Sequence, residues 1–180
     1  MSNPPARPPL RRWIAPLLAV VILLVAAVFG TRAEAQPTPT RTMSHVARGS
    51  FQVQLQAQGE PATADGVSLG RTSLDKTFEG DFVGTGHGEM LSAMTAVKGS
   101  AGYVAIERVS GTLQGRRGSF VMQHSGTMTR GAPQLSITIV PDSGTGELAG
   151  IAGVFKLEIT GGKHLYEIEY TLPAAAAAPR

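Results

Sequence analysis

His124 stands in the stretch GSFVMQHSGTM, Gly118 to Met128, where Phe120, Met122, His124 and Met128 alternate with Ser119, Gln123, Ser125 and Thr127. Side chains on a strand point to alternate faces, so this pattern places the imidazole on the buried face. Upstream, AGYVAIERVSGTL puts Ala101, Tyr103, Ala105, Val109 and Leu113 on its inward face, and Glu107 shares their parity. A hairpin closed around Gly115-Arg116, as a two-residue turn or as the four-residue loop QGRR, sets Glu107 opposite His124 and Tyr103 opposite Met128. Directly opposed side chains meet. A carboxylate and an imidazole enclosed together can work as a general acid and base, with proton affinities set by burial and mutual attraction. The same two residues also suit a buried structural pair that only fixes register. Both readings stand at this point. Tyr103, Phe120, Met122, Met128 and Tyr166 are the expected lining of a lumen that holds a ligand.

The other chemistry-bearing residues form weaker patterns. Ser125 follows His124 directly, but adjacent strand residues face opposite ways, so the ring cannot activate that hydroxyl. His87 and Glu89, in GTGHGEM, share a face; a metal site would need further ligands at a spacing the chain lacks, and none is expected. The glycine-rich GTGHG and GTGELAG lack the helix and lysine of a phosphate loop. His164 falls opposite Ile159 if Gly161-Gly162 makes a two-residue turn, which puts it at a rim. Lys76 lies between Leu74 and Phe78, and the broken alternation near Gly70 leaves its direction open. No cofactor is called for.

The elements that must position these residues are strands. FQVQLQAQ sets Phe51, Val53, Leu55 and Ala57 against four glutamines. QLSITIV, VFKLEIT and HLYEIEYTL repeat the alternation, and LDKTFEG and GDFVGTGHGEMLSAM read as two more strands. Turns are expected at Gly80-Asp81, Gly115-Arg116, Gly131-Ala132-Pro133, Gly144 to Gly146 and Gly161-Gly162. About eight antiparallel strands with one apolar face each make a closed barrel or a sandwich.

Residues 1–35 read as a leader: a basic start, an apolar run from Trp13 to Gly30, and Ala33-Glu34-Ala35 as a small-x-small cleavage site. The run of 18 residues is also just long enough to span a bilayer. Two fates stay open, a cleaved signal peptide or an anchor at residues 13–30, and both put the domain outside the cytoplasm. Losing the leader leaves twelve basic and twelve acidic residues, from sixteen and thirteen. A neutral domain has no basic surface for nucleic acid. The chain has no cysteine, which excludes thiol catalysis, thiolate metal sites and disulfides. Residues 36–43 form a Pro/Thr linker, 44–172 the barrel domain, and 173–180 an Ala/Pro tail expected to be disordered. Homo-oligomerisation is open.

GRRGSFVMQHSGTM, VPDSGTGELAGIAG, GKHLYEIEYTL and LDKTFEGDFVGTGHGEMLSAMT resemble a bacterial family catalogued only as a domain of unknown function. Its members have an allene-oxide-cyclase-like β-barrel. SGTGELAGIAG also looks like the Gly-Thr-Gly turn before the last strands of plant allene oxide cyclases and dirigent proteins. The resemblance spans roughly Ser44 to Leu172. It implies an all-β, eight-stranded antiparallel barrel and leaves activity open, because one fold hosts many functions. The plant cyclase holds a glutamate and a bound water in an apolar lumen, and no position here aligns well enough to inherit that glutamate. Three roles remain: a module that binds a small hydrophobic molecule in the barrel lumen, a cyclase- or isomerase-like enzyme using Glu107 and His124, or a structural envelope protein with a filled barrel.

Overall fold

The computed structural model describes residues 42–174. The leader, nearly all of the linker and most of the tail lie outside them. Among the described residues nine strands follow one another: β1 (Thr42–Ala57), β2 (Ala62–Ala64), β3 (Val67–Gly80), β4 (Phe82–Thr95), β5 (Ala101–Leu113), β6 (Arg116–Thr129), β7 (Ala132–Ile139), β8 (Ala152–Thr160) and β9 (Lys163–Pro173). A single 3-10 turn at Gly146–Leu148 interrupts the run between β7 and β8. Hydrogen-bonded neighbours run β1-β9-β8-β7-β6-β5-β4-β3-β2, and β1 also pairs with β3. That extra pairing closes eight strands into an antiparallel barrel, with β2 as a short flap on β3. The seam at β7 and β8 is thin, a single bridge between Thr138 and Val154.

Alternation decides which side chains fill the barrel. Phe51, Phe78, Phe82, Val109, Leu113, Phe120, Met122, Ile137, Ile139, Phe155, Tyr166, Ile168 and Tyr170 form one continuous buried core. Phe78 sits centrally, its ring 5.2 Å from Phe82, 5.4 Å from Phe51 and 5.9 Å from Tyr166 between centroids. Such tilted and edge-on pairs add attraction beyond the burial of area.

The two ends of the barrel differ. One is sealed by the β3–β4 and β5–β6 turns and by the segment after β7, which inserts Leu148 and Ile151. There the Tyr166 hydroxyl accepts the Phe82 N–H at 2.9 Å and donates to the Glu79 carbonyl at 3.1 Å. The Tyr170 hydroxyl donates to Gln114 Oε1 at 2.8 Å. At the other end, inward-facing Leu55, Met94, Met128, Leu135 and Ile159 are exposed. The barrel is filled from one end only.

Two expected turns move. The β5–β6 turn is Gln114-Gly115, both at positive φ (46° and 85°), with Leu113 paired to Arg116. Two adjacent left-handed residues make the hairpin turn whose twist suits the flanking strands. The pairing therefore slips by two residues from the expected one: Ala105 opposes His124 and Glu107 opposes Met122. The β6–β7 turn is Arg130-Gly131, and Ala132 and Pro133 already belong to β7. The Gly161-Gly162 turn and the pairing of Ile159 with His164 are as the spacing predicts.

Candidate functional site

The slip keeps parity, so Glu107 and His124 still face the lumen, now as diagonal neighbours. His124 Nε2 lies 3.1 Å from Glu107 Oε2. The alignment is too poor for a hydrogen bond, since Nε2 and Glu107 Oε1 have no hydrogen-bond partner among the described residues. Lys76 supplies what the sequence left open: it points inward, and its Nζ donates to Glu107 Oε2 at 2.7 Å. Residue exposure is 8 % for Lys76, 0 % for Glu107 and 4 % for His124. The ammonium also sits over the Phe51 ring at 4.6 Å, with Phe78 and Phe155 farther off at 5.8 and 5.9 Å. A desolvated cation gains from such ring faces.

Each member of the cluster is placed by local sequence. Leu74, Lys76 and Phe78 occupy successive inward positions of β3, so the lysine stem runs through the core while its head reaches β5. On β4, Gly84, Gly86 and Gly88 face inward where other strands carry large side chains, and the Glu107 carboxylate lies over Gly86. On β6, Gly126 is bare beneath the Tyr103 ring, at a distance no Cβ would allow.

Above this cluster lies the open mouth. A cavity of about 350 Å³ is lined by Met90, Met94, Tyr103, Gly126, Met128 and Leu135, with smaller residues between them. Met90 pairs with Ala105, which pairs with His124 on its other side, so the floor of the mouth adjoins the imidazole. Burial pushes the Tyr103 phenol above its ordinary range, as it does Tyr166, whose bond from the Phe82 N–H works the other way.

Of the expected lining, Tyr103 and Met128 reach the mouth. Phe120, Met122 and Tyr166 do not; they are packed in the filled part. Met128 is 42 % exposed, a rim residue rather than a deep one. His87 and Glu89 face outward, where His87 Nδ1 lies 2.6 Å from Asp75 and Glu89 pairs with Arg71. No group of three or more His, Asp or Glu side chains could hold a metal ion among the described residues. His164 stacks on Phe51 at 5.0 Å near the open rim.

The family model described as "Protein of unknown function (DUF3224)" matches residues 47–170. The chain belongs to the DUF3224 family. It is similar to a crystal structure of a DUF3224 protein of unknown function from Shewanella oneidensis MR-1, with 51 % identity and a TM-score of 0.67. That match covers 71 % of this chain and 97 % of the other. No curated protein matches.

Sequence reasoning missed three parts of this DUF3224 site. Lys76 carried a usable signal, the run Leu74-Lys76-Phe78, which continues a period of two without a break. Gly86 was visible only as part of a repeated glycine pattern whose purpose needed the Glu107 position. Met90 and Met94 share the inward parity of β4, but nothing in one strand says which end of a barrel stays open.

Proposed function

We infer that the barrel mouth binds a small apolar molecule. The supporting observation is the cavity of about 350 Å³ walled by Met90, Met94, Tyr103, Met128 and Leu135, with its apolar side chains open to solvent. Small-molecule sites run from about 300 to 1,000 Å³ and are lined mostly by apolar groups. Methionine is flexible and polarisable, which suits a wall that must shape itself to a guest. The lower barrel is packed with the buried core side chains.

The test uses N-phenyl-1-naphthylamine, a neutral probe whose fluorescence rises in apolar surroundings. Wild-type protein should bind it saturably at one site. Ala101 lies between Met94 and Met128 across the sheet, so Ala101→Trp should fill the mouth and abolish binding with the fold intact. Absence of saturable binding in the wild type, or unchanged binding in Ala101→Trp, sinks the reading.

A second reading, acid–base catalysis by Glu107 and His124, draws on their 3.1 Å approach. Conversion of a bound molecule that is lost in Glu107→Gln, with binding retained, would favour it. The carrier role also accords with export, which the leader suggests. N-terminal sequencing from an envelope fraction should give Gln36 as the first residue, whereas Met1 in the membrane fraction would establish the anchored form.

A further inference from the structure

We propose that the open end of the barrel docks on an anionic lipid bilayer through two joined turns, β4–β5 and β6–β7. This rests on the apolar-guest role inferred above and names the source of the guest, a membrane. The two turns form one unit. The Gly131 N–H donates to the Gly99 carbonyl at 2.9 Å, and the Arg130 N–H donates to Ser100 Oγ at 3.1 Å. The first turn joins Met94 to Ala101 and the second joins Met128 to Pro133, and all four of those residues wall the cavity. The surface that the turns touch is therefore the surface that the mouth faces.

Each turn carries an exposed cation, Lys98 in the first and Arg130 in the second. Neither takes part in an ion pair among the described residues. Between residues 90 and 141 the only acidic residue is Glu107, which is buried against Lys76, while Lys98, Arg108, Arg116, Arg117 and Arg130 are basic. A neutral total charge hides this local excess. The acids of the open end, Glu60, Asp65 and Glu158, belong to the turns beside β2 and to β8. Apolar side chains stand beside the two cations: Met94 is 64 % exposed and Val97 49 %, and Val97 is not part of the cavity wall. Cations next to exposed apolar groups make an interfacial surface, in which the charges meet headgroups and the apolar groups enter the acyl boundary. Nucleic acid or an acidic protein would answer the charges and leave Val97 and Met94 in water. A bilayer answers both, and a fluid surface needs no matching shape. A guest then passes between lipid and the methionine-walled mouth without crossing water.

Flotation with lipid vesicles tests this. The chain from Gln36 onward holds the whole closed barrel with its core and lacks the apolar run at residues 13–30, so it is the form to use. It should float with vesicles of phosphatidylglycerol and phosphatidylcholine, and bind pure phosphatidylcholine vesicles far less. A cation near an anionic surface is worth about fivefold in partitioning, so Lys98→Gln with Arg130→Gln should weaken binding by about tenfold or more. Arg108→Gln with Arg117→Gln makes the same change in net charge on the outer wall and at the sealed end. That pair should alter binding by less than about twofold, because the surface potential fades over a Debye length. Val97→Ser should weaken binding by about threefold, the worth of a half-exposed valine. Binding of N-phenyl-1-naphthylamine without vesicles should be unchanged in Val97→Ser. Equal losses in the two double variants would reduce the effect to net charge and overturn the docking site. Equal binding to both vesicle compositions, or full binding by Val97→Ser, overturns it too. Probe binding without flotation leaves the mouth as a site and removes the membrane as its source. Flotation without probe binding keeps the docking surface and removes the guest.

Discussion

Gly86 and the Glu107 carboxylate occupy one place: a Cβ at position 86 would lie 2.1 Å from Glu107 Oε1. The glycine is therefore part of the carboxylate's seat. Gly86→Ala should destabilise by about 1–3 kcal/mol, the usual range for an overpacked core. In a Glu107→Ala background the same change should cost far less, and the coupling should reach about 0.5–3 kcal/mol in a double-mutant cycle by urea unfolding. Additive effects would mean that the carboxylate lies elsewhere in solution.

The Lys76–Glu107 pair yields a second expectation. Removing one partner of a buried pair strands the other charge and typically costs about 3–5 kcal/mol, while replacing both with apolar residues can be neutral. Lys76→Met should thus be severely destabilising, and Lys76→Met with Glu107→Leu should recover most of the loss in urea midpoint. A double variant no better than the single one would show that the charges are not coupled.

Parity was legible in this sequence, and so was the β8–β9 register, but the β5–β6 register was not, for a physical reason at Gln114. The expectation gave the left-handed turn position to Gly115 and its neighbour Arg116, because glycine favours positive φ. In the structure Gln114 takes φ of 46° as well, against its own preference. Its side chain compensates: Nε2 donates to the Val46 carbonyl at 2.9 Å and Oε1 accepts from Tyr170. Those partners lie far away in sequence, so no local pattern could announce them. A two-residue slip leaves every inward residue inward. The faces of β5 and β6 therefore matched expectation while the Glu107–His124 pairing did not, and the side chains still met on the diagonal. Lys76 shows the opposite case, a signal present in Leu74-Lys76-Phe78 and obscured by Gly70 nearby.

On the outer wall, His87 and Asp75 supply a pH-dependent contact. The Asp75 hydrogen bond, and then its charge, raise the His87 pKa above the ordinary 6.5. A raised folded-state value means the imidazolium form is favoured by folding. Its contribution is complete below the unfolded value and is lost as pH rises through the folded one. NMR titration of the His87 ring should give a midpoint above 6.5, and Asp75→Asn should bring it back down. An unchanged midpoint in that variant would show that the pair does not persist in solution.

Tyr166 belongs to the filled end of the barrel. Its hydroxyl accepts the Phe82 N–H at 2.9 Å and donates to the Glu79 carbonyl at 3.1 Å, tying β9 to the β3–β4 turn. Tyr166→Phe keeps the ring against Phe78 and Phe155 and removes only this bridge. A buried donor left unpaired costs about 1–3 kcal/mol, more than the net worth of the bond it made. The urea midpoint should fall accordingly with an unchanged slope, and exchange of the Phe82 amide should accelerate. N-phenyl-1-naphthylamine binding should not change, because Met94, Met128 and Leu135 ring the opposite end. Loss of probe binding with stability intact would return Tyr166 to the ligand-lining role its place on the strand first suggested, and would move the site from the mouth into the body of the barrel.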